Sequence, residues 1–246
     1  MAVTSALPGT ASRTDRRELV ASAAVLTWVP LVLGIDSRVS AGSQVILGVA
    51  TWLLLIMLLR RESGLTRAQV VVVVLFATAV EYTFSAWLGV YRYRHGGVAA
   101  YVPPGHGLVY LCALDLGRST LFRAHRRAVL AAALTGCGGY AAWGLLLADR
   151  TDVLGAFWFG CLAAFCWKGK QPLVYAGAFV VVTYLELLGT RLGCWTWSLH
   201  DPTGWIPIGN PPSGAAGGYG WFDAAALAFA PALVARWERR REPVSE

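Results

Sequence analysis

Two glutamates stand at matching places in two similar stretches of chain. The first stretch reads Glu81-Tyr-Thr-Phe-Ser-Ala-Trp-Leu-Gly89-Val-Tyr91-Arg-Tyr93, then Val102-Pro103-Pro104-Gly105-His106. The second reads Glu186-Leu-Leu-Gly-Thr-Arg-Leu-Gly193-Cys-Trp195-Thr-Trp197, then Ile206-Pro207-Ile208-Gly209-Asn210. With one gap the shared pattern is Glu, six or seven residues, Gly-x-aromatic-x-aromatic, then aliphatic-Pro-x-Gly and a polar residue, at an offset of 104 to 105 residues. Both glutamates fall inside apolar runs, where a carboxylate is costly and normally faces the interior of a helix bundle. A carboxyl group in dry surroundings favours its neutral form unless a cation is near, and a buried neutral carboxylic acid is a ready general acid. The alternative is structural, each Glu bonding a Tyr or a backbone carbonyl across a helix interface.

The neighbouring residues fit proton chemistry or substrate binding. At period two in an extended segment, Tyr91 and Tyr93, and likewise Trp195 and Trp197, project their rings to one side, where aromatic faces stabilise a passing cation; the alternative is an interfacial belt. His106 and its counterpart Asn210 suit polar positioning of a substrate. Asn is a poor metal ligand and no His-x-x-x-His or Glu-x-x-His spacing occurs, which disfavours a metal site. Asp223 follows Gly-Gly-Tyr-Gly at the start of the last apolar run, where a helix N-terminus favours an anion, and it is read as a further carboxylate of the site or as a cap. Asp115 is read as a structural partner of Arg118 three residues on. The two lysines, Lys168 and Lys170, lie in one short connection, so no intramembrane Schiff-base lysine exists, and no soluble-cofactor fingerprint is present.

The elements that must hold these residues are membrane helices. The 246 residues are 56% hydrophobic and 14% charged, with a mean hydropathy of +0.53, outside the range of a soluble domain. Apolar runs at 18–34, 43–60, 69–91, 106–122, 127–148, 152–167, 171–192 and 219–237 predict an all-α polytopic membrane bundle of about eight transmembrane helices. Shifting the first spans by the repeat offset lands them on later ones, so the single domain, residues 1–246, divides into two parallel four-helix repeats, about 18–122 and 127–237. The formal net charge is +7, carried mostly by Arg in short loops, a distribution that reflects membrane topology and excludes nucleic-acid binding. With the N-terminus inside, the inner segments hold 16 Lys and Arg residues and the outer loops five, which predicts both termini cytoplasmic and the loops 92–105 and 193–218 outside. The first apolar run lacks a cleavage signature and is expected to be a retained span. The tails, before about residue 18 and from Glu238 onward, are expected to serve topology. The five Cys form no disulfide framework.

The stretch Glu186-Leu-Leu-Gly-Thr-x-x-Gly193-x-Trp195-x-Trp197, followed by Asp201 and Trp205-Ile-Pro207-Ile-Gly209-Asn-Pro211-Pro212, resembles integral-membrane carotenoid-biosynthesis proteins, the carotenoid hydratases and membrane lycopene cyclases. The resemblance covers about 30 residues of the second half and is echoed in the first. It implies proton-initiated chemistry on an isoprenoid double bond, with Glu186 and Glu81 as acids. The expectation is therefore an enzyme of a prokaryotic plasma membrane that needs no cofactor or metal and adds water to, cyclises or isomerises an isoprenoid, carotenoid or related lipid. The rival expectation is a small proton-coupled lipid or small-molecule transporter or flippase rocking about the same carboxylates. A third is an assembly factor. A transporter should also show breaks in its inner loops, and those loops are short and merely basic.

Overall fold

The fold follows from close helix contacts that glycine and alanine permit. In the computed structural model, which describes residues 13–239, α4 (Val102–Arg118) and α8 (Pro172–Arg191) form a central pair. A Cβ at Gly177 would press on the backbone of Ala113, and one at Gly117 on that of Leu173 and Val174, so small residues bring the two backbones together, the usual device of membrane helix packing. Around this pair stand α1 (Arg13–Asp36), α2 (Ala41–Leu59), α3 (Gly64–Glu81), α6 (Arg126–Leu146), α7 (Val153–Lys168) and α9 (Ala215–Arg239), with the short α5 (Thr120–Ala124) joining α4 to α6. The helix α9 packs against α3, α7 and α8, and α1 packs against α4.

The protein is an all-helical bundle, and six of its helices are long and apolar enough to cross a membrane: α1, α2, α3 with its extension to Trp87, α6, α8 and α9. Eight spans were expected. The two remaining runs are helical but short, at 16 residues for α7 and 17 for α4. The connection between α2 and α3 is tied locally. Ser63 caps α3 through the N–H of Thr66 at 3.1 Å, and Arg118 pairs with Glu62 at 3.5 Å and donates to Thr66. Arg118 thus makes its ion pair with the α2–α3 connection, not with Asp115 as the i+3 spacing suggested.

Of the two Gly/Pro stretches expected in loops, the first is helical, whereas Ile206-Pro207-Ile208-Gly209-Asn210 lies outside any helix. Val102-Pro-Pro-Gly-His forms the first turn of α4, because Pro lacks an N–H that a first helical turn leaves unpaired anyway. Likewise the glycine-rich stretch 214–220 is largely helix: a Cβ at Gly214 or Gly217 would collide with the backbone around Trp158, so glycine serves close packing of α9 on α7 there. Asp223 consequently sits eight residues inside α9, about two turns from its N-terminus, and is neither a cap nor a terminal anion. The expected tail segments before Arg13 and after Arg239, including Arg240 and Arg241, lie outside the described residues.

Two three-residue strands, β1 (Tyr91–Tyr93) and β2 (Trp195–Trp197), pair antiparallel at one end of the bundle. Their register sets Tyr91 opposite Trp197, Arg92 opposite Thr196 and Tyr93 opposite Trp195. Each strand is entered through a glycine in the left-handed region, Gly89 at φ 64° and Gly193 at φ 71°, where an L side chain would be strained. These two glycines end α3 and α8 and turn both chains into the ribbon.

Candidate functional site

Beneath the ribbon each glutamate is held by its own pair of aromatic residues. Tyr91 and Tyr93 donate their hydroxyls to Glu81 Oε2 at 2.9 and 2.8 Å. Trp195 and Trp197 donate their indole N–H groups to Glu186 Oε2 at 2.9 and 3.1 Å. The period-two spacing does what geometry requires, since alternate residues of a strand share a face. Tyr91, Tyr93 and Trp195 are only 8%, 8% and 6% exposed, so these three rings are not a membrane belt. Trp87, Trp167 and Trp205 are instead the most exposed tryptophans among the described residues.

The two halves of the ribbon interlock. Tyr91 packs against Trp197 with ring centroids 4.6 Å apart, and Tyr93 against Trp195 at 6.1 Å. A small residue makes room for the second clamp: a Cβ at Gly189, one turn beyond Glu186, would run into the Trp195 ring.

The first stretch holds one residue more than the second between its glutamate and its glycine, and the backbone absorbs it. After Glu81 the helix widens into a π-helical turn, Tyr82–Trp87, with Leu88 N bonded to Thr83 O at 2.8 Å. An i→i+5 ring holds one residue more than an α-helical ring, and such turns are frequent at functional sites.

The two carboxyl groups have unequal surroundings. Glu81 has both oxygens engaged, because His106 Nε2 lies 2.9 Å from Oε1 while the two phenols occupy Oε2. Glu186 keeps Oε2 for the two indoles, and its Oε1 has no hydrogen-bond partner among the described residues. The Glu186 side chain borders open space. Neither glutamate has an Arg or Lys within ion-pair distance among the described residues. The chemistry of the partners differs too. Phenol and imidazole both donate and accept protons, whereas an indole N–H only donates.

That open space is a cavity of about 480 Å³. Glu81, Glu186, Tyr91, Tyr93, His106, Trp195 and Trp197 all line it, and the rest of its wall is mainly aliphatic and aromatic, from α1, α3, α4 and α9. The sequence pattern therefore brings seven of its nine site residues into one chamber. The other two lie outside it. Asn210 accepts from the backbone N–H of Trp197 at 3.0 Å and so fixes the ribbon from behind. Asp223 is buried, with Oδ2 unpartnered among the described residues, and is not part of the wall.

Several residues that shape the site were not read from sequence. Tyr219 stacks on His106 with centroids 5.1 Å apart, and Phe222 meets the same imidazole edge to face at 5.4 Å. The only sequence signal was their place in the Gly-Gly-Tyr-Gly-Trp-Phe run. Asp152 bonds the N–H groups of Gly155, Gly209 and Ser213 at 2.9, 2.8 and 2.6 Å, capping α7 and anchoring the second loop at once. Its position just before an apolar run was a cap signature. Asp36 accepts from Gln44 at 2.6 Å and from Tyr101 at 3.0 Å, tying down the first loop. Arg150 donates to the carbonyl oxygens of Trp197, Ser198 and Ile208.

No protein-family model, curated protein or solved structure matches the chain.

Proposed function

We propose that the protein is an intramembrane enzyme that protonates a carbon–carbon double bond of an isoprenoid, carotenoid or related lipid, with Glu186 as the acid. The observation that carries this reading is the pair of unlike carboxyl groups in one apolar chamber. Glu186 lines the cavity and is steered by two N–H donors on one oxygen, the other having no hydrogen-bond partner among the described residues. A proton on Oε1 would pass to one alkene carbon, the π electrons forming the new C–H bond and leaving a cation on the neighbouring carbon. The faces of Tyr91, Trp195 and Trp197 suit that cation. Glu81, tied to His106, suits the opposite task of receiving a proton from the neighbouring carbon or from an added water. His106 then spreads the charge, as an imidazole bound to a carboxylate does.

We also propose that α4 and α7 belong to the membrane domain together with the six long helices, and that the eight form two parallel halves with both termini on the cytoplasmic side. Three features support the repeat: matched glycines in the left-handed region, matched Glu–aromatic clamps, and the π-helical turn at the position of the sequence gap. In that orientation the ribbon faces outward.

The test is the lipid profile of a polyene-producing host that expresses the wild type or Glu186→Gln. A new isoprenoid present with the wild type and lost in the variant supports the reading, and its mass separates added water from rearrangement. Identical profiles would sink it and favour transport.

A further inference from the structure

We infer that the reacting lipid reaches the cavity sideways from the bilayer, through a slot between the π-helical turn and α9, and that only one end of a long chain is enclosed. The inference deepens the proposed function and rests on it for the identity of the chain. At the ribbon end the chamber is covered. The segment 198–209 folds back on itself through a bridge between His200 and Pro207, and Asp201 accepts from the N–H groups of Ile206 at 2.9 Å and Trp205 at 3.1 Å. Arg150 grips its base through the carbonyls of Ser198 and Ile208. The lining side chains of α1 and α4, such as Val25, Val32, Leu108 and Val109, are buried.

One wall is different. Phe76, Phe84 and Leu88 from α3 and the π-helical turn, and Trp221 from α9, line the cavity and are 40%, 39%, 37% and 51% exposed. The other lining residues with comparable exposure, Pro202 and Ile206, belong to the covering hairpin. Behind the slot lies an unbroken aromatic route to the acid site. Phe76 meets Phe222 edge to face at 5.3 Å, Phe222 meets His106 at 5.4 Å, and His106 bonds Glu81.

These surfaces belong to helices long and apolar enough to cross a membrane, so the slot opens where lipid chains lie and not toward water. Its apolar rim suits a hydrocarbon chain and offers no charge to a headgroup. An opening of this kind sets no limit on chain length, because the part not enclosed stays in the bilayer. Selection then acts on the shape of the inserted end.

The experiment uses the full chain in phosphatidylcholine nanodiscs with a photoreactive, diazirine-bearing isoprenoid alcohol, followed by peptide mapping after illumination. Label is expected on the peptides that hold Phe76–Leu88 and Tyr219–Phe222, about tenfold above the lipid-facing Leu53 of α2 and removed by excess unlabelled alcohol. Leu88→Trp, which fills the slot, should lower label at Phe222 about tenfold, and Leu53→Trp should not. Glu186→Gln should be labelled like the wild type, so loss of chemistry alone leaves this result standing. Label confined to residues 198–209, or spread over the lipid-facing helices and indifferent to competitor, would overturn the inference.

Discussion

Arg92 faces Thr196 across the ribbon, and the two stand 104 residues apart, the same separation as Gly89 and Gly193. The flanking pairs cross over. Tyr91 meets Trp197, and Tyr93 meets Trp195, so each aromatic residue faces the counterpart of its neighbour. A two-fold rotation through the central pair exchanges the strands, which is how an isologous contact between like elements is built. The glutamate clamps hang from this ribbon, and changes to it should be felt at both acids.

The π-helical turn should be removable. Deleting Thr83 gives the first stretch the Glu-to-Gly spacing of the second, and the helix can close as a regular α-helix. The melting temperature, read by circular dichroism, should stay within a few degrees of the wild type. Deleting Ala77, which is fully buried within α3, turns every later residue of the helix by about 100° and should abolish folding. Equal damage from both deletions would contradict the role given to the turn.

Gly189 should tolerate no side chain. Its space is filled by the Trp195 ring, and Gly189→Ala should cost about 1–3 kcal/mol as overpacking while displacing the indole from Glu186. Chemical denaturation in detergent measures the first effect, and loss of product the second. A variant as stable and active as the wild type would show that the ring moves freely.

The indole donors should matter for the reaction more than for binding. Trp197→Phe keeps an aromatic ring and removes one N–H from Glu186, a loss of about 0.5–1.5 kcal/mol for a neutral bond. A fall of roughly tenfold in kcat with little change in KM is expected. A change confined to KM would recast Trp197 as a binding surface only.

The covering hairpin should respond to acid. The N–H group of Ile206, with help from Thr203 and the N–H of Trp205, holds the Asp201 carboxyl below its ordinary range. A lowered value in the folded state means the stabilisation is present above the ordinary carboxylate value and is lost as pH falls through the folded one. The amide resonance of Ile206 should therefore titrate with a midpoint below the usual carboxylate range. A midpoint within or above that range would contradict the hairpin geometry.

Much of the site was legible because it is local. Glu, Gly and the alternating aromatics lie within a dozen residues of each other, and a strand's period of two dictates where their rings go. What the pattern could not carry was distance. Tyr219 and Phe222 reach His106 through helix packing, and the cap signature of Asp152 does not foretell its bonds to the distant Gly209 and Ser213. Asp223 was misplaced because glycines usually signal a break, whereas the backbone of Trp158 makes small residues necessary inside α9. The tyrosines and Trp195 looked like belt residues for a similar reason: composition near a membrane end is the same whether a ring points to lipid or to a buried carboxyl group.

The most direct test of the central claim is incorporation of solvent deuterium. Membranes containing the protein are incubated in heavy water with extracted polyenes, and products are analysed by mass spectrometry after back-exchange of hydroxyl deuterium. Protonation of a double bond by Glu186 predicts deuterium bound to carbon in the product from the wild type and none from Glu186→Gln. Product that carries no carbon-bound deuterium, or equal incorporation by the variant, would contradict the account.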